Sequence, residues 1–369
     1  SSVATEFTGG EAKVALNFPE AGWINLQADL QKFLGSGEST TSATGSNAPC
    51  TPKVGPFVPM YFQVELNDTT RILSKDGKDL TYYYSREPIP LKITAMNAKG
   101  EPTTNYPSAY GLDHAFSLSA VGVDGAPLKA GLGALAGTLA ASDFDKGVAK
   151  PTASTKSPQA TFQFTNARTA PTQIRLRVEN KAAAGALPAG HVIKSADDPA
   201  YAGLAPEKAR PEIRSGRLRI ASRFGRVGAP LVLPVTAEYW TGQSWVLNDR
   251  DGFSLVPTGA IAQTAFADTN GNGVKPQISV PGNVQLSGGK ADLQITGSAA
   301  GWIDIAFNLG ASATQDQSCL KVTPVPATTG AGLPWLQSTA GCIDPSGRAT
   351  FGIFAPESRR IIHVREVFN

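Results

Sequence analysis

The amino-acid sequence predicts an all-β protein on three observations. Short runs of alternating apolar and polar residues recur along the chain, which is the two-residue period of a half-buried strand. They are punctuated by 38 glycines and 27 prolines, residues that make turns and interrupt helices. A six-residue pattern, Ala21-Gly22-Trp23-Ile24-Asn25-Leu26, returns as Ala300-Gly301-Trp302-Ile303-Asp304-Ile305. Together these predict tandem immunoglobulin-like β-sandwich domains, in which an alternating strand turns a glycine corner into a strand carrying a bulky residue.

The elements follow in chain order. Residues 1–56 hold the first copy of the repeat, with Val14 and Leu16 matching Leu293 and Ile295. Two strands alone leave an apolar face open, so this segment is expected to be the late strands of an incomplete sandwich. A Ser/Thr/Gly/Pro-rich linker over 35–56 would follow it. Residues 57–214 read as a middle sandwich. Phe62, Val64 and Leu66 alternate with Gln63 and Glu65, and Ile174, Leu176 and Val178 alternate with Arg175, Arg177 and Glu179. Its stretch 126–158, rich in Gly, Ala, Ser and Lys, is expected to be a long surface loop. Residues 215–369 read as a C-terminal sandwich. There Leu218 and Ile220 alternate with arginines, and Val235, Ala237 and Tyr239 lead through Thr241-Gly242-Gln243 into Trp245-Val246-Leu247 as a hairpin. The Trp of each repeat copy is expected to cap a core.

Composition narrows the function classes. Charged residues make up 17% and the formal charge is +3, with no Lys/Arg block, so a nucleic-acid partner is excluded. Arg175 and Arg177, at alternate strand positions, read as a solvated face. No run approaches the ~18 apolar residues of a membrane-spanning helix. Residues 1–7 lack the basic start and apolar stretch of a signal peptide, so either processing removed one or the chain is a piece of something longer, and the orphaned repeat copy favours the second. Cys319 and Cys342 would close a modest loop as a disulfide, contributing ~3 kcal/mol by restricting the unfolded chain, and Cys50 is left for a partner outside this sequence.

Four patterns are candidates for chemistry or binding. Asp268, Asn270 and Asn272, followed by Gly273, begin like a calcium loop with oxygen ligands at alternate positions. The acid due at position twelve is replaced by Ser279, so an Asx/Gly turn competes with calcium, the one cofactor the sequence suggests. His114, His191 and His363 read as surface or turn residues, since no nucleophile motif accompanies them, and an enzyme is not expected. Gly131 to Gly137 lacks dinucleotide-loop spacing. Tyr83, within Tyr82-Tyr83-Tyr84, and the pair Trp240 and Trp245 are the aromatics best suited to a glycan or partner surface, with core packing as the competing use. The apolar terminal run 361–368 is a candidate for strand pairing with another chain.

Several stretches resemble the C-terminal region of the MshQ-like family, bacterial surface proteins associated with the mannose-sensitive haemagglutinin type IV pilus. They include Phe57-Val58-Pro59-Met60-Tyr61-Phe62, Ala95-Met96-Asn97-Ala98-Lys99-Gly100, Pro234-Val235-Thr236-Ala237-Glu238-Tyr239-Trp240 and Leu333-Pro334-Trp335-Leu336. The terminus is similar too, over Asp344-Pro345-Ser346-Gly347-Arg348-Ala349-Thr350-Phe351. The resemblance implies export to the bacterial cell surface and pilus or filament subunits as partners. It also implies a structural or adhesive role without established chemistry; a lectin-like, glycan-binding module is the alternative. The family carries cysteine near 81–84 and near 249–253, where this chain has none.

Overall fold

Strand-forming alternation organises nearly everything the structure describes. In a computed structural model the described residues are 8–9, 17–25, 29–30, 40–41, 54–68, 81–107, 114–182, 192–195, 207–264, 282–313, 324–338 and 343–352. Among them every regular element is a β-strand or a three-residue 3-10 turn, so the all-β prediction holds. The chain divides into two units. The first comprises Ser1–Tyr82, Pro88–Gln163 and Gln173–Glu212, and the second Tyr83–Glu87, Phe164–Thr172 and Ile213–Asn369.

In the first unit, Pro88–Met96 pairs antiparallel with Tyr61–Leu66 on one side and with Gln159–Phe164 and Val148–Ala149 along the other. A second sheet is built on Thr172–Ala182, which pairs with His114–Gly122 over nine residue positions and with Val192–Lys194. The predicted alternation fixes the inward faces. Phe62, Val64, Ile89, Leu91 and Ile93 are fully buried, as are Ile174, Leu176 and Val178. Burying each such side chain contributes roughly 1.5–3 kcal/mol, and together they make a sandwich core. One end is an aromatic cluster: the Phe62 ring lies 5.7 Å from Tyr106, 6.2 Å from Phe116 and 6.1 Å from Phe144.

Three expectations are corrected within this unit. The stretch 126–158 is no simple surface loop, because it supplies the strands Gly133–Thr138, Phe144–Asp145 and Val148–Ala149. Its small residues suit close approach: a Cβ at Gly133 would collide with the Phe162 ring and the Gln163 carbonyl. Arg175 and Arg177 are not a solvated face. Arg177 Nε donates to Glu207 Oε1 at 2.7 Å and Arg175 Nη1 lies 3.6 Å from Oε2, with the glutamate side chain fully buried. Segment 207–209 runs alongside Thr172–Ala182, the Leu176 amide donating to the Ala209 carbonyl and the Lys208 and Ala209 amides donating to the Val64 carbonyl, and this places the Glu207 carboxylate against the two arginines. His114 is a strand residue, stacked on Phe116 at 5.7 Å, with Nδ1 2.8 Å from Asn180 Nδ2.

The first repeat copy also belongs to this unit. Gly22–Ile24 pairs with Val54–Phe57, and Phe18 packs edge-on to Phe57 at 5.3 Å. Asn97 Nδ2 donates to the Pro19 carbonyl, and Glu20 accepts from the Thr104 hydroxyl and the Asn105 amide.

In the second unit one sheet joins Gly216–Ile220, Pro230–Trp240 and Trp245–Leu247, with Lys290–Thr296 also on Pro230–Trp240. The expected hairpin is present, with Trp240 directly opposite Trp245. The other sheet runs Arg223–Gly225, Ser346–Phe351, Gly301–Phe307, Ile261–Thr264 and Pro324–Val325. Its first pair is parallel and its Gly301–Phe307 pairing antiparallel. Leu233, Val235, Leu293 and Ile295 of one sheet and Ile303, Ile305, Phe307 and Phe351 of the other fill the interior.

Both repeat copies begin their strands on a glycine with positive φ, 125° at Gly22 and 151° at Gly301, which a side chain at either position would strain. The tryptophans do not cap cores, however. Trp23 is 42% exposed and Trp302 is half-buried, because alternation from the buried Ile303 sends the preceding residue to the outer face.

Candidate binding surfaces

The aromatic residues proposed from sequence go to different places. Tyr83 is fully buried, and its neighbours Tyr82 and Tyr84 are buried too, so Tyr83 is not a surface residue. Alternation sends successive rings to opposite faces, but this short strand is covered on both. Tyr84 has a structural duty. Its hydroxyl donates to Asp251 Oδ2 at 2.9 Å and accepts from Asn248 Nδ2, while Arg214 Nη1 donates to Asn248 Oδ1 at 2.7 Å. Asp251 also accepts from the Ser254 hydroxyl and from the Phe253 and Ser254 amides. This network ties Tyr84 to the turn 248–254. Tyr84→Phe keeps the ring and removes these bonds. It is expected to destabilise the second unit by about 1.5–3 kcal/mol, the range for bonds to charged groups. Urea unfolding followed by tryptophan fluorescence checks this, since Trp240, Trp245 and Trp302 lie in that unit.

Trp240 and Trp245 are brought together on the outer face of the four-stranded sheet, edge-on at 5.6 Å. Both are half-buried. The Arg217 guanidinium covers Trp245 at 4.2 Å and Arg168 covers Trp240 at 5.4 Å. Arg217 also donates from Nε and Nη2 to Glu238 Oε2 at 2.8 and 2.6 Å. These rings therefore alternate with cations within the fold, each offering little flat face to a ligand.

Sequence reasoning missed a second surface, on the outer face of the five-stranded sheet. The register places Phe224, Thr350 and Trp302 in one row across three strands, with Arg348 opposite Asp304 in an adjoining row. Arg348 Nε and Nη2 donate to the two oxygens of Asp304 at 2.6 and 2.8 Å, and its guanidinium lies 4.0 Å from the Trp302 ring centroid. The hydrogen bond to Asp304 holds the Arg348 pKa above its ordinary value, against the opposing effect of burial. Phe224 is 79% exposed. A groove of about 340 Å³ is lined by Arg223, Phe224, Asp304, Arg348 and Thr350, with the hydroxyls of Ser222 and Ser346. The available signal was Phe224 standing alone within Ser222-Arg223-Phe224-Gly225-Arg226, an apolar ring in a polar run.

The remaining sequence candidates lie outside the described residues: Asp268, Asn270 and Asn272 for calcium, Cys319 and Cys342 for a disulfide, Cys50, His191, His363 and the terminal run. Among the described residues, no three His, Cys, Asp or Glu side chains converge as a metal site, and no helix is long and apolar enough to cross a membrane.

Against known families, residues 20–198 match the third domain of DUF6701 and residues 214–367 its fourth. The chain belongs to DUF6701. No curated protein matches this DUF6701 chain. Among solved structures it is similar to a chimeric titin Z1Z2 functionalized with a decorin peptide, at 9% identity and TM-score 0.22, over 74% of this chain and 93% of that one. It is also similar to the D0-D1 domain of intimin, at 12% identity and TM-score 0.15, over 60% and 84%. A third similarity is to domains 1–6 of the surface layer protein SbsC, at 11% identity and TM-score 0.23, over 91% of this chain and 39% of that one.

Proposed function

We propose that this DUF6701 chain is a non-enzymatic structural and adhesive component of the bacterial cell surface, associated with a type IV pilus or similar filament. The observation that carries the reading is how the buried acids are used. Glu207 holds Arg175 and Arg177, Asp304 holds Arg348, Glu238 holds Arg217, and Asp251 holds Tyr84 and Ser254. Each fixes strands or a turn in place, as a structural scaffold requires. The resemblance to MshQ-like proteins supports the filament context, and strand addition is the mode of subunit contact that paired sheets favour.

Surface placement is tested on intact cells. The protein is expected to be cleaved by added protease, to shear off with surface filaments, and to be needed for adherence. Recovery in the cytosolic fraction, with unchanged adherence after gene deletion, would overturn the proposal.

A further inference from the structure

We propose that the groove beside Phe224 binds an acidic saccharide, a pyranose ring carrying a carboxylate. A single exposed phenylalanine is ordinary on a protein surface and by itself signals nothing. Here it forms one wall of a site whose other parts are already fixed. Neighbouring strands lie ~4.8 Å apart, so Phe224 and Trp302 stand two strand spacings apart with Thr350 as the floor between them. Trp302 does not meet the groove as a bare ring, because Arg348 is stacked over it at 4.0 Å. The result is a slot with an aromatic wall on one side and a guanidinium wall on the other.

The chemistry of the slot selects the ligand. A pyranose has an apolar face of C–H groups that stacks on an aromatic ring and a rim of hydroxyls that seek donors and acceptors. Phe224 offers the ring. Of the five N–H donors of a guanidinium, the bonds to Asp304 use one on Nε and one on Nη2 of Arg348, leaving the others for a ligand. That side chain is still 34% exposed although its position is set by Asp304 and Trp302. Holding it in place beforehand removes part of the ordering cost of binding. Ser222 and Ser346 supply hydroxyls on the rim.

Charge then distinguishes acidic from neutral sugars. The lining includes Arg223 and Arg348 against a single acid, Asp304, so it is net positive by one. A carboxylate is the group an arginine fork pairs with in planar geometry. The volume of about 340 Å³ lies at the small end of ligand clefts, which matches one or two sugar rings. This inference supplies a ligand class and stands on the groove alone; it does not depend on filament association.

The test titrates the purified full chain with oligogalacturonate, sialyllactose, neutral lactose and inorganic phosphate, by calorimetry at low and physiological salt. An acidic saccharide is expected to bind at least about tenfold more tightly than lactose or phosphate, a difference of 1.4 kcal/mol or more. Phe224→Ala should weaken that binding by about tenfold with an unchanged melting temperature, as suits a side chain that is 79% exposed. Arg223→Glu should weaken acidic ligands and leave lactose unaffected. No binding of either acidic saccharide at millimolar concentration overturns the proposal. So does equal affinity for lactose and acidic sugars, tighter binding of phosphate, or binding that Phe224→Ala leaves intact. Failure here with surface exposure confirmed removes the ligand and leaves the surface role standing.

Discussion

Replacing Glu207 by alanine is expected to destabilise the first unit by about 3–5 kcal/mol, the cost of breaking a buried ion pair from one side. The carboxylate is fully buried, and it satisfies Arg177 at 2.7 Å and faces Arg175 at 3.6 Å. Arg175 is itself only 9% exposed, so this acid helps to offset its desolvation. Removing the acid takes from both cations the carboxylate they share. Changing all three residues to methionine should recover most of the loss, because apolar side chains of similar size carry no desolvation penalty. Urea unfolding followed by circular dichroism measures the change, and hydrogen exchange over 172–182 localises it. A Glu207→Ala protein within about 0.5 kcal/mol of the parent, the scatter of ordinary surface substitutions, would show that the triad is not an electrostatic unit.

A loss of similar size is expected from Phe62→Ala, at about 3–5 kcal/mol for an aromatic deleted from a packed core. Phe62 is fully buried and touches the rings of Tyr106, Phe116 and Phe144, which also pack on one another. The site has little room to collapse, since those rings are held from the turn 104–107 and from the strands His114–Gly122 and Phe144–Asp145. The cavity term therefore adds to the lost transfer free energy. Thermal melting reads the total, and faster hydrogen exchange in Pro88–Met96, which pairs with the Phe62 strand, reads its location. Unchanged exchange in that strand would mean that the cluster is peripheral to the core.

The class of the fold was legible because period-two alternation is a local property that survives without knowledge of partners. Ile174, Leu176 and Val178 were assigned inward from their spacing, and all three are fully buried. Their neighbours show where such reasoning stops. Arg175 and Arg177 lie on the opposite face as the alternation requires, but whether that face meets water depended on segment 207–209, some thirty residues away. Tyr83 failed for the same reason: alternation gives a direction, and only the surrounding chain decides whether that direction is solvent. The segment 126–158 misled because glycine and alanine are poor strand formers by propensity. Propensity yields to tertiary context where small residues let a strand approach an aromatic wall closely.

The candidate groove lay further from view. Its row of Phe224, Thr350 and Trp302 is drawn from residues separated by as many as 126 positions, joined by one parallel and one antiparallel register. No local pattern encodes such a row, and the repeat pointed to Trp302 only as an expected core residue. The sequence by itself determined that this chain would form strands, which side chains would share a face, and where a glycine corner would lead into the repeated ones. The tertiary structure decided which faces are covered, which charges pair, and which distant residues meet. Alternation is written into consecutive residues, whereas burial and charge pairing exist only once strands far apart in the chain have chosen their neighbours.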